Sequence, residues 1–319
     1  MTGSGTQSDP YICSNWYELQ SVTGSDNYIK MADLPQAQKV IDFSEIQPNG
    51  FPEAVDLRGF IDFNGWTFKN FYSASNNTAI KIGGWWSSLS TIEGGSSWSN
   101  LIMKNFFHVA NIPSGGYAVP HFIAYERGEP PLGIEITNCK FYGELNYNNT
   151  YLHPSPASFI SINTHPDDTD CIKISNSAFN IKVKCNTAFE TFGFKEMEKC
   201  RVKADISAPA INLTTCEYSV DSLPLRVNNC HFSGFLNDTS DSPHNVTVGG
   251  NFSSFNVYDI ESNAPLEYKG GGISVFNSEK ATPSAYNDIF VGLTTAQLQN
   301  DTALLSVGFP CEVIQNGNN

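Results

Sequence analysis

Hydrophobic positions in the middle of the chain follow a short broken alternation: apolar, any, apolar, any, an Asn-like residue, a small residue or Cys, any, aromatic. Ile134, Ile136, Asn138, Cys139 and Phe141 form one copy, and Ile172, Ile174, Asn176, Ser177 and Phe179 a second. Ile211, Leu213, Thr215, Cys216 and Tyr218 form a third, and Leu225, Val227, Asn229, Cys230 and Phe232 a fourth. Weaker copies run Leu101, Met103, Asn105, Phe106, His108 and Lys195, Met197, Lys199, Cys200, Val202; an early outlier runs Ile61, Phe63, Gly65, Trp66, Phe68. Period-two alternation sets Ile134 and Ile136 on one face of a strand. Asn138 interrupts it as a bend would, and Cys139 and Phe141 then share a face again. Strand, bend, strand is how a solenoid coil turns a corner. Stacking such coils sets like over like, as a Cys ladder and an aromatic ladder. Asparagines buried at the corner are expected to hydrogen-bond to the backbone of the next coil.

Counted at the Cys position, the steps are 33, 38, 23, 16 and 14 residues. A coil takes about 20 residues or more. The long steps leave room for protruding loops, and the last two are too short for a three-sided coil; a narrowing tube and antiparallel pairing are both open. An exposed solenoid end needs a cover. Asn15 with Glu18 fits a capping box that opens a short helix, followed by strand-like runs at 28–31 and 39–43. Thr294 with Gln297 fits another, opening a helix with Leu298, Leu304 and Leu305 ahead of Val307, Phe309 and Cys311; the tail 315–319 is polar. The predicted fold is all-β: a right-handed parallel β-helix (solenoid) with short helical and strand caps at both ends. It divides into an N-terminal cap over 1–55, a body with protruding loops over 56–280, and a C-terminal cap and tail over 281–319.

Composition narrows the class. Only 16% of residues are charged while 13% are aromatic, a balance that suits a β protein with a large buried wall. Lys plus Arg is 18 and Asp plus Glu 32, a net charge of −14 that argues against broad contact with nucleic acid or with an anionic membrane surface. No stretch approaches the roughly 20 apolar residues that span a bilayer. The opening residues lack the basic and apolar regions of a secretion signal, so synthesis and assembly in a cytoplasm are expected. The eight cysteines are even in number. Yet Cys139, Cys200, Cys216 and Cys230 recur at one repeat position and no Cys-x-x-Cys pair occurs, so buried free thiols are expected rather than disulfides or zinc.

The opening Gly-Ser-Gly-Thr-Gln-Ser-Asp-Pro-Tyr-Ile-Cys, followed by Trp16, Glu18 and Leu19, resembles the start of β-helix proteins of gut bacteria and their phages. The closing Leu293-Thr-Thr-Ala-Gln-Leu298, with Val307-Gly-Phe309, resembles the end of the same group. The body matches only as pattern. The resemblance implies a structural β-helix protein of a phage virion or a bacterial surface. A signal normally precedes this opening in the surface members, so its absence favours the virion. It also implies other capsid or tail proteins as partners, a homo-oligomer such as a trimer, and a host surface glycan as a ligand.

Chemistry is thinly signalled. His165, Asp167, Asp168 and Asp170 precede Cys171-Ile172-Lys173-Ile174, with Asn163-Thr164 just upstream. This resembles the Asn-Thr-Asp and Asp-Asp-Cys-Ile runs of pectin hydrolases, whose paired carboxylates activate water and protonate the leaving oxygen. Here both fragments fall in one loop, and the Gly-His-Gly and Arg-Ile-Lys runs are missing. A calcium loop and a solvated turn are the other readings. Trp85, Trp86 and Trp98 lie among glycines, where exposed rings would stack on sugars and buried ones would pack. The six histidines show no metal spacing, and His108 and His231 are read as structural. No metal or cofactor is expected. Three functions stand: a non-enzymatic fibre, spike or capsid-decorating protein, a polysaccharide-degrading enzyme, and a bacterial adhesin. A basic cluster beside acids in one groove would favour the enzyme, and the 18 Lys and Arg are scattered along the sequence.

Overall fold

Each turn of the chain is laid down as three short strands joined by corners. The computed structural model describes residues 1–308 apart from 25–26, 76–77, 82–95, 113–120, 127–133, 150–156, 164–172, 193–195, 214–225, 241–245, 250–252, 281–282 and 286–289. One coil runs Ile134–Thr137, Lys140–Asn149 and Ala157–Asn163. The next runs Lys173–Ser175, Ala178–Cys185 and Phe189–Phe192. Corresponding strands pair in parallel, building among the described residues a first sheet of eight strands, a second of eleven and a third of nine. The chain is therefore an all-β parallel solenoid. The sheets continue across positions 55 and 280.

The corner between the first and second sheets turns on a left-handed residue, joined by Gly65 at the first of them. Asn64, Asn100, Asn138, Asn176, Lys199, Asn229 and Phe255 all have φ between 48° and 58°. Asparagine enters this region more readily than other residues with a Cβ, which is why the repeat carries it. The backbone N–H of Asn138 donates to Ser175 O at 3.0 Å, and that of Asn100 to Thr137 O at 3.2 Å, linking each corner to the next coil. The side chains are half-buried or exposed rather than buried as expected, and bond to one another. Asn138 Nδ2 donates to Asn100 Oδ1 at 2.6 Å, and Asn100 Nδ2 donates to Asp62 Oδ1 at 2.8 Å.

The interior is built from ladders. Just after the corner, Trp66, Leu101, Cys139, Ser177, Cys200, Cys230 and Asn256 stand in line. Two residues on, Phe68, Met103, Phe141, Phe179, Val202, Phe232 and Tyr258 form the second line. Phe141 stacks on Phe179 at 5.3 Å and Phe232 on Tyr258 at 5.3 Å. Cys139, Cys200 and Cys230 are buried and free, and burial pushes the Cys139 thiol up to about 12.

Two repeat copies are corrected by the register. Ile211–Asn212 pairs with Phe189–Phe192 in the third sheet, so the copy beginning at Ile211 is not a corner of the first kind; Cys216 and Tyr218 lie outside the described residues. The two short steps are thus one coil of 30 residues, and the named strands pair in parallel there without antiparallel pairing. In the copy at 101–108, Leu101 and not Phe106 takes the Cys position, because Asn100 is the corner. Asn100 and Asn105 are both left-handed, and the pairing decides between them: Leu101 O accepts from Lys140 N, and Ile102 pairs with Lys140.

At the start, α1 (Trp16–Val22) is capped by Asn15, whose Oδ1 accepts from Glu18 N at 3.0 Å; it buries Trp16, Leu19 and Val22 in the main core. The expected strand at 39–43 stops at Asp42, which caps α2 (Phe43–Ile46). At the finish the capping box of Thr294 and Gln297 forms, but the expected single helix breaks in two. α3 (Thr295–Leu298) ends, and Asn300 caps α4 (Asp301–Ser306), which sets Leu304 against Val275 and Leu293.

Candidate functional site

The outer face of the second sheet carries the site, and a local irregularity shapes it. In the strand Ile102–Ile112 the register slips between Lys104 and Phe106, and Asn105 takes φ 53°. The extra residue flips the alternation. Phe106 turns inward onto Phe122 at 4.3 Å, and Phe107 turns outward, where it remains 37% exposed. Gly143 on the next strand makes room: a Cβ there would collide with the Phe106 carbonyl and ring. The result is an open groove of about 360 Å³ lined by Asn105, Phe107, Tyr142, Glu144, Asn180 and Lys182.

Register sets the groove's chemistry. Tyr72, Phe107, Glu144, Lys182, Asp205, Phe235 and Glu261 form one outward column. Lys104, Tyr142, Asn180 and Lys203 form the column beside it. Phe107 stacks on Tyr72 at 5.8 Å and 15°, so its ring stands supported. Lys182 Nζ lies 3.5 Å from Glu144 Oε1, and Asp205 Oδ1 accepts from Phe235 N at 3.1 Å. A ring face, amides that both donate and accept, a carboxylate and an ammonium thus meet on a backbone fixed by ladder hydrogen bonds. That set complements a flat, hydroxyl-bearing ring, whose C–H face packs on the aromatic and whose hydroxyls find donors and acceptors.

The residues singled out from the sequence are elsewhere. His165, Asp167, Asp168, Asp170, Trp85 and Trp86 lie outside the described residues. Trp98 corrects the exposed-ring reading. It is fully buried between Ile61 and Ile136 in the first sheet, and its Nε1–H donates to Leu57 O at 2.9 Å. Burial satisfies both ends of the indole, so it packs and offers no face. His108 is buried against Tyr147 at 5.3 Å. His121 Nδ1 lies 2.9 Å from Ser158 Oγ, and burial pushes its imidazole down to about 3. Among the described residues, no group of three His, Cys, Asp or Glu side chains is placed to hold a metal ion. Phe107, Tyr142, Glu144 and Lys182 were missed from the sequence. The available signal was Asn105, a polar residue inside the strand at a position that alternation from Met103 would turn inward.

No family model, curated protein or solved structure matches this chain.

Proposed function

We propose that the chain is a non-enzymatic structural component of a phage virion (a fibre, spike or capsid-decorating protein) that holds a host surface glycan on the outer face of its second sheet. The observation that carries the binding role is the exposed Phe107 ring, set beside Tyr142 and bracketed by Asn105, Asn180 and the Glu144–Lys182 pair on a rigid sheet. The virion setting rests on the resemblance of the two terminal segments to phage β-helix proteins. In this reading the coil is right-handed, the sense nearly all parallel crossovers take. The segments bearing α1 and α4 cap its ends, which suits the core burial of Trp16 and Leu304. The test is binding of host-envelope polysaccharide by the full chain and by Phe107→Ala. At least ten-fold weaker binding with an unchanged melting temperature is expected, and unchanged binding would overturn the groove.

A polysaccharide-degrading enzyme is the second reading, favoured by the lysines that stand beside Glu144 and Asp205 in the groove and by the spacing of those two acids. Glu144 and Asp205 occupy one outward column two rungs apart, about 10 Å at the usual strand spacing. That is near the separation at which paired carboxylates admit a water to a glycosidic bond. Both groups already have partners, Lys182 and the Phe235 N–H. New reducing ends released from polysaccharide by the parent chain, and lost in Glu144→Gln and Asp205→Asn, would establish the enzyme over the passive binder.

A further inference from the structure

On four consecutive strands of the second sheet, Ile102–Ile112, Lys140–Asn149, Ala178–Cys185 and Arg201–Ala208, the exposed positions include Lys104, Lys140, Lys182, Lys184, Arg201 and Lys203. The same strands carry only two acids, Glu144 and Asp205. Six of the chain's 18 cations and two of its 32 acids thus share one patch of a protein whose net charge is −14. The scatter along the sequence becomes a cluster because parallel in-register stacking sets Lys203 over Asn180 and Tyr142, and Arg201 over Ala178 and Lys140. Rungs are about 4.8 Å apart and outward residues along a strand about 6.6 Å apart. The ammonium groups therefore stand on a grid around the groove. Lys104, Lys140, Lys184 and Lys203 pair with no carboxylate among the described residues. Among the described residues these four lysines stand without a neutralising carboxylate, in a chain with acids to spare.

We infer that the occupant of the groove is an acidic polysaccharide, a sugar chain bearing carboxylates; this rests on the glycan reading of the same groove. Phe107 and Tyr142 take the ring faces, Asn105, Asn180 and Glu144 the hydroxyls, and the surrounding lysines the carboxylates. Glu144 and Asp205 separate this occupant from a nucleic acid. Ionised carboxylates only accept, so they suit the several hydroxyl donors that each sugar unit presents, donors that the backbone of a DNA strand lacks. The acidic remainder of the surface repels a polyanion and directs it to this face.

The test compares binding of the full chain to polygalacturonate, its methyl-esterified form, a neutral glucan and single-stranded DNA at low and high salt. Polygalacturonate is expected to bind at least ten-fold more tightly than the esterified polymer, with affinity falling as salt rises. The triple variant Lys140→Gln, Lys184→Gln, Lys203→Gln should lose at least ten-fold, while the corresponding Lys→Arg triple retains binding and shows that the face is intact. Equal binding of the charged and esterified polymers, abolished for both by Phe107→Ala, would overturn the acidic specification and leave the glycan groove standing. Binding to none of the sugar polymers, or tighter binding to the DNA, would overturn both.

Discussion

One residue per coil decides how the chain turns. The corner after the first sheet demands a left-handed residue, and at five of seven corners it is Asn. Lys199 has no such preference and sits there at φ 54°, with its ammonium in an exposed pair with Glu198 at 3.2 Å that contributes little. Lys199→Asn should therefore raise the unfolding free energy by about 0.5–1 kcal/mol, read by denaturant titration; a fall would show that the lysine makes a contact worth more than the backbone strain. Gly143 acts the other way. Any Cβ there meets Phe106, so Gly143→Ala should cost about 1–3 kcal/mol as an overpacking change and disturb the groove. A variant as stable as its parent would mean that the bulge at Asn105 relaxes freely. His121 contributes a pH dependence. Its half-buried imidazole is held down to about 3 by loss of solvent and by the neighbouring His108, against about 6.5 in an unfolded chain. As pH falls below about 6.5 the unfolded chain takes up a proton that the folded chain refuses, so stability declines across that window. His121→Gln should flatten the decline between pH 6.5 and 4, and parallel stability curves for the two proteins would contradict this.

Elements explain how much of the molecule was legible from the sequence. The ladders were readable because a parallel solenoid repeats one chemical decision in each coil: Ile136 over Ile174, Phe141 over Phe179, Cys200 over Cys230. The caps Asn15 and Thr294 were readable because a cap is local, although Glu18 accepts from Ser14 N instead of Asn15 N and the first box forms only by half. Register was not: Asn100 and Asn105 each precede an apolar residue and each is left-handed, so Leu101 and Phe106 were confused, and the run at Ile211 keeps the alternation of a first-sheet copy while it pairs in the third sheet. The break between α3 and α4 was hidden because Leu298 and Leu304 keep an apolar spacing while Asn300 caps a new start. The groove was least legible. Its residues come from strands about 38 residues apart in the chain, and Phe107, Glu144 and Lys182 become neighbours only once coils of unequal length are stacked. Amide ladders show the same non-local order. Asn105 donates to Asn70 and Asn70 to Asp42, as Asn138 does to Asn100 and Asn100 to Asp62; each series runs from the later coil to the earlier and ends on a carboxylate, which only accepts.

At the scale of the whole molecule, one continuous core runs from the helix at the start to the last coils, with a smaller cluster under α4. Trp16 joins the first to the body, packing edge-on against Phe43 at 4.8 Å and Phe68 at 6.0 Å. Trp16→Ala should cost about 3–5 kcal/mol and expose the first strands to edge pairing, read as a lowered melting temperature with aggregation. Unchanged melting would show that the first segment is dispensable to the solenoid. Charge is arranged at this scale too: four strands of the second sheet carry six of the chain's 18 cations and two of its 32 acids, so a charged ligand can be oriented before it is touched. The central claim is that the outer second face, and no other, receives the ligand. Amide hydrogen exchange of the full chain with and without host-envelope polysaccharide tests it most directly. Slowed exchange confined to residues 102–112, 140–149, 178–185 and 201–208 is the result expected. Slowed exchange elsewhere with those four strands unaffected would contradict the account.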